Sequence, residues 1–154
     1  MSAAVIRTVP NLTRKVCDPI ERVDITAHTA GIAFKMLHTM YRADAQCLAA
    51  PQIDVTLRLV VMDVGWKSGA PQPLVLINPE IADRSEETEV GEETCLSIPG
   101  QRFDVRRHSR IDLRWQVFEG FQLEGRMMGK TAVLLQHALD HLDGRCCDQM
   151  DRNP

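Results

Sequence analysis

His137 and His141 stand four residues apart in the run from Thr131 to Leu142. On a helix that spacing places both imidazoles on one face, where they can share a metal ion. A pair at this spacing is equally compatible with two core histidines bonded to backbone carbonyls. Cys95 supplies a third donor of the right kind. One thiolate and two imidazoles leave a coordination position for water, the arrangement of a catalytic rather than a structural site, and the chemistry it points to is hydrolysis. The other reading of Cys95 is a buried free thiol packed as a small hydrophobe. Such a donor set suits iron, zinc, nickel or cobalt, and spacing does not choose among them.

Elements must bring these donors together. Strong helix formers fill Thr131 to Leu142 without a proline, and Asp143-Gly144 supplies a stop, so a largely buried helix carrying both histidines is expected. Asp24 to Arg42 repeats apolar residues at helical spacing (Ile25, Ile32, Ala33, Met36, Leu37, Met40) and predicts an amphipathic helix. Between them, Leu57 to Val64 suits a buried strand, and Leu74 to Ile77 a short one closed by Asn78-Pro79. The polar stretch from Glu86 to Glu93 reads as a strand or loop feeding a tight corner at Cys95 to Gly100. Alternation from Ile111 to Val117 marks a half-buried strand. Residues 1–24 have no sustained period and read as an arm wrapped over the domain. The order of helix, strands, helix points to an α+β fold.

Composition narrows the function classes. The 154 residues fit a single domain, and 44% hydrophobic with 25% charged residues is ordinary for a globular protein. A net charge of −3 with scattered basic residues argues against direct nucleic-acid binding. The nearest basic patch, Arg102 with Arg106, Arg107, His108 and Arg110, reads as a solvated face. No apolar run is long enough to span a membrane and no leader pattern opens the chain, so a cytoplasmic location is expected. Five cysteines (Cys17, Cys47, Cys95, Cys146, Cys147) form no disulfide ladder, and reduced thiols are the expectation.

Three blocks then resemble, in order, the signature motifs of peptide deformylases. Cys47 to Gln52 is similar to the family's Gly-Leu-Ala-Ala-Pro-Gln, Glu93 to Ser97 to Glu-Gly-Cys-Leu-Ser, and Gln136 to His141 to Gln-His-Glu-x-Asp-His. Weaker similarity runs through Val5 to Arg14, Met36 to Asp44 and Asn78-Pro79. The resemblance implies a deformylase-like α+β domain over residues 1–154, with small mixed or antiparallel sheets packed around the buried helix that carries His137 and His141. It also implies a metalloenzyme that removes the formyl group from the N-terminal methionine of new polypeptides. Cys95, His137 and His141 match the ligands of a divalent ion, typically Fe2+, with Zn2+, Ni2+ or Co2+ as alternatives. Gln52 and the backbone N–H of Leu96 match the groups that stabilise the developing oxyanion, although Gln52 could also simply close the turn after Pro51. Arg102 matches an arginine that steadies the cysteine loop or a substrate carbonyl, or is a plain surface residue.

The chain departs from this pattern at one decisive position. Ala138 stands where the family has the glutamate that takes a proton from metal-bound water and passes it to the leaving amine. Ala45, Cys47 and Thr94 replace glycines, which adds bulk near the substrate channel. Glu92, Glu93 and Asp140 are the carboxylates close enough in sequence to take over proton transfer. Of these, the counterpart of Glu93 in the family orients a ligand histidine. The expected function is therefore a deformylase-type hydrolase with weak or lost activity. One alternative is a non-catalytic metal-containing binder of formylated or other peptide N-termini, and another is a metal-free structural protein. Ribosome contact is a further family property, but the end at Pro154 leaves little room for the C-terminal helix of many bacterial members.

Overall fold

The first helix shows how local chemistry sets an element's bounds. In the computed structural model, which describes residues 2–150, α1 spans Ala27–Arg42, and the Thr26 hydroxyl accepts the His28 N–H at 3.3 Å as its cap. The helix starts three residues later than the periodicity suggests, because Arg22–Asp24 form a separate 3-10 turn. Ala33, Met36 and Met40 point inward and are fully buried.

Seven strands follow: β1 (Cys47–Ala49), β2 (Leu59–Met62), β3 (Leu74–Arg84), β4 (Thr88–Cys95), β5 (Ile98–His108), β6 (Arg110–Gln116) and β7 (Gln122–Met128), before α2 (Gly129–Leu142). They make a five-stranded sheet in the order β1-β2-β3-β6-β7 and a two-stranded sheet of β4 with β5. Every pairing of these strands is antiparallel, so the mixed-sheet alternative gives way to the antiparallel one. The architecture is the expected α+β class.

β2 explains the layering. Its four residues Leu59, Val60, Val61 and Met62 are all buried, as in a strand covered on both faces. Leu59 and Val61 join the α1 residues Met36 and Met40 in one apolar cluster. Val60 and Met62 join Leu135, Leu139 and Leu142 of α2 in another. Each such leucine contributes roughly 1.5–3 kcal/mol of burial energy, which fixes α2 against the sheet. A third cluster joins Cys95, Ile98, Phe103 and Val105 of the β4-β5 hairpin to Leu12, Cys146 and Cys147.

One expectation needs correction. Asn78-Pro79 does not end a short strand; β3 continues to Arg84 with a register shift between Ile77 and Glu80. Asn78 takes a left-handed φ of 51°, tolerated by asparagine, and its side chain both accepts the Ile20 N–H and donates to the Ile20 carbonyl at 2.7 Å. The turn signal is thus absorbed as a bulge. The stretch after Glu86, read as a strand or a loop, is an eight-residue strand, β4. The edge strands β1 and β7 carry no sequence signal that announces them. The N-terminal arm does wrap the domain: the Arg7 N–H donates to the Gln52 carbonyl at 2.7 Å and the Val9 N–H to the Ser97 carbonyl at 2.9 Å.

Candidate metal centre

α2 carries the two histidines because three leucines and a glutamine hold its roll angle. Gln136 clamps it to the end of β5, accepting the His108 N–H at 3.0 Å and donating to the His108 carbonyl at 2.9 Å. With Gln136 so fixed, the next residue and the one a turn later face the β4-β5 hairpin. Cys95, at the tip of that hairpin, meets them. Its Sγ lies 3.3 Å from His141 Nε2, which lies 3.2 Å from His137 Nε2. All three donor atoms fall within 4.8 Å of one another. A tetrahedral ion with bonds of about 2.0–2.3 Å separates its ligands by roughly 3.3–3.6 Å, so the donors fit one metal ion.

The surroundings orient the His137 ring and keep His141 neutral. His137 Nδ1 is 2.8 Å from Glu93 Oε2, which leaves Nε2 to face the other donors. His141 is 2% exposed, and burial, then its neighbour His137, push its pKa down to about 3. Burial opposes the charge on Glu93, but the Arg107 guanidinium and His137 outweigh it and hold the carboxyl at about 2. Arg107 binds Glu93 in bidentate fashion at 2.7 and 3.0 Å and also reaches Asp140 Oδ2. A buried chain of Asp140, Arg107, Glu93 and His137 therefore stands behind the metal donors.

A cleft of about 580 Å³ adjoins the donors, lined by Cys95, His137, Glu93, Gln52, Leu96 and Ala138 among others. Gln52 is buried and closes the turn, its Oε1 accepting the Ala49 N–H at 3.0 Å, while its Nε2 is 3.3 Å from Ser97 Oγ and 4.0 Å from Cys95 Sγ. Ala138 is 2% exposed and borders the cleft beside His137. Ala45, Cys47 and Thr94 line it as well. Among the carboxylates, Glu92 lines the cleft and pairs with Arg102 at 2.6 Å, and Asp140 pairs with Arg107 and Arg145. The Arg102 side chain is 72% exposed and is not among the residues that line the cleft.

Arg107 overturns the reading of the basic patch as one solvated face. It is 8% exposed and sits at the centre of the carboxylate network. The alternation Phe103, Val105, Arg107 in β5, all buried, carries the signal that places it inward. Cys146 and Cys147 are also part of the site's surroundings: Cys146 Sγ lies 3.8 Å from Cys95 Sγ, and Cys147 Sγ 3.3 Å from His137 Nδ1. Nothing in their sequence pattern announces this. All five cysteines are free.

Comparison with known proteins agrees with this geometry. The sequence profile described as polypeptide deformylase matches residues 4–153. The chain is 48% identical over 132 residues to the peptide deformylase of Alkalilimnicola ehrlichii, covering 86% of this chain and 72% of that one. It is 42% identical over 134 residues to the peptide deformylase of Bartonella quintana, covering 87% and 75%. The crystal structure of peptide deformylase from Thermotoga maritima superposes with a TM-score of 0.91 at 33% identity, over 99% of this chain and 100% of that one. A peptide deformylase from Legionella pneumophila does so with a TM-score of 0.90 at 32% identity, over 97% and 86%. A matching profile across nearly the whole sequence and a shared fold at these identities make this chain a member of the polypeptide deformylase family.

Proposed function

We propose that this protein holds one divalent metal ion on Cys95, His137 and His141 and receives a formyl-methionine peptide N-terminus in the adjoining cleft, hydrolysing it slowly. The observation that carries the reading is the convergence of three metal donors, two of which, Cys95 and His137, line a cleft together with Gln52 and Ala138. Fe2+ is the ion implied by the family's chemistry, and Zn2+, Ni2+ and Co2+ suit the same donors. When bound, the ion supplies an acidified water and polarises the formyl oxygen.

The chain's own groups account for the rest. Gln52 Nε2 and the Leu96 backbone N–H stabilise negative charge on the formyl oxygen as the carbon becomes tetrahedral. Glu93 fixes the ring of His137. Proton transfer is the missing part, since a methyl group at position 138 neither accepts a proton nor delivers one to the leaving amine. Other carboxylates are committed: Glu93 to Arg107 and His137, Asp140 to Arg107 and Arg145, Glu92 to Arg102. Loss of such a group costs about 10²–10⁴-fold in rate. The substrate class stays that of the family, and a cytoplasmic setting accords with it. No described helix is long and apolar enough to cross a membrane.

The test is metal analysis coupled to turnover. Anaerobically iron-loaded protein is expected to carry one ion per chain and to release formate slowly from a short formyl-methionyl peptide. Replacing Cys95→Ala is expected to abolish both. A protein that takes up no metal under these conditions would point to the structural reading, and one that binds metal and peptide without any formate release to the non-catalytic binder.

A further inference from the structure

We propose that Cys95 and Cys146 are a redox-sensitive thiol pair, and that a peroxide joins them in a disulfide that withdraws the cysteine from the metal donors. The pair is built by the turn that follows α2. Gly144 adopts a φ of 75° in a space so tight that an added Cβ would sit 2.7 Å from the Arg14 carbonyl oxygen. The Arg145 N–H donates to the Asp140 carbonyl at 2.8 Å, turning the chain back beneath the helix. Cys146 is thereby delivered, 1% exposed, against the sulfur of Cys95. Ligand and neighbour are in contact across 51 residues of sequence.

The contact is selective. Cys146 does not belong to the group formed by Cys95, His137 and His141, so it stands beside the ligand without sharing the metal position. Of the other thiols, Cys147 contacts His137 and Glu93, Cys47 faces the Leu134 carbonyl at 3.8 Å, and Cys17 belongs to the apolar cluster under α2. A disulfide requires about 2.05 Å between sulfurs. From 3.8 Å the two atoms must approach by roughly 1.8 Å, a movement within reach of side-chain rotation and a small shift of the short turn at Cys147–Gln149. Cys95 borders the cleft, which gives a small oxidant its way in.

The chemistry balances with hydrogen peroxide as the oxidant. The sulfur of Cys95 attacks one peroxide oxygen, the O–O bond breaks, and a sulfenic acid and one water result. The sulfur of Cys146 then attacks the sulfenic sulfur, the S–O bond breaks, and the hydroxyl leaves with the Cys146 proton as a second water. Two thiols lose two electrons and one peroxide gains them. The disulfide sulfur is a far poorer metal ligand than a thiolate, which leaves only two imidazoles to hold an ion. A dithiol reductant reverses the change.

The experiment treats the zinc-loaded and the metal-free protein with a modest excess of hydrogen peroxide, then counts thiols after denaturation and maps peptides by mass. Titratable thiols are expected to fall from five to three. A tryptic peptide of residues 85–102 should be linked to one of residues 146–152, with fragmentation placing the bond at Cys146 rather than Cys147. Zinc release, read with a colorimetric chelator, should rise from none to one per chain and reverse with dithiothreitol. Cys146→Ser and Cys146→Ala should both lack the link, with Cys95 gaining oxygen atoms instead. The inference is overturned if the unsubstituted protein, after peroxide, shows only oxygen addition at Cys95, or a link through Cys147, Cys47 or a second chain. The unsubstituted protein's peptide map decides this even if neither variant folds. Metal release rests on the proposed metal site, whereas the disulfide map does not: a protein that binds no zinc but forms the link would remove the proposed function and leave the thiol pair standing.

Discussion

The two sides of α2 at the metal centre differ in kind. Behind the histidines, every charged group has a partner: His137 is held by Glu93, Glu93 by Arg107, and Arg107 by Asp140. On the cleft side, the small residue Ala138 stands between the two histidines, and Cys47 and Thr94 add atoms to the cleft wall. The first side positions the donors, and under the proposed function the second meets the substrate. On the proposed function, a scaffold keeps the geometry that binds a metal while the part that moves protons is lost, because the two tasks fall to different residues.

Breaking the buried side has the largest expected effect. Arg107→Leu leaves Glu93 buried without its guanidinium and Asp140 with Arg145 alone, and a loss of about 3–5 kcal/mol is expected, measured by urea unfolding. Arg102→Ala, on an exposed pair, should stay within about 0.5 kcal/mol in the same experiment. Equal losses from the two would erase the distinction. Glu93→Ala frees the ring of His137, and metal affinity should fall about 10–100-fold, read by chelator competition. Gln136→Leu removes the clamp on His108 and strands two backbone groups, for a loss of about 1–3 kcal/mol. The cleft side is expected to respond least: Thr94→Gly should cost roughly 0.5–1 kcal/mol of stability and leave the metal content at its original value.

Sequence made the donors legible because a spacing of four puts both histidines on one face of a helix, and because Cys95 lies in a motif whose order matched two others. Gln52 was legible in the same way. The carboxylate network was not, although half of it lay in plain view. Arg107 sits among other basic residues, which pulls the reading toward a solvated face, while the period-two pattern Phe103, Val105, Arg107 places it inside. β4 stayed open between strand and loop because six of its eight residues are exposed or half-buried, leaving little alternation to see. β7 has no fully buried residue at all, and its identity as a strand comes from its pairing with β6. Asn78-Pro79 shows the opposite failure: a strong turn signal was overridden because the Asn78 side chain satisfies Ile20 and Gln116 and lets the strand continue. The contact between Cys95 and Cys146 depends on a tertiary fold-back that no local pattern records.

The central claim is a metal centre whose scaffold is intact and whose proton-transferring group is missing. Turnover of a short formyl-methionyl peptide by the iron-loaded protein, side by side with Ala138→Glu, tests it most directly. The account predicts equal metal content in both and a rate about 10²–10⁴-fold higher in the variant, since the new carboxylate would enter a cleft of about 580 Å³. Fast turnover by the unsubstituted chain, or no gain from the glutamate, would contradict it.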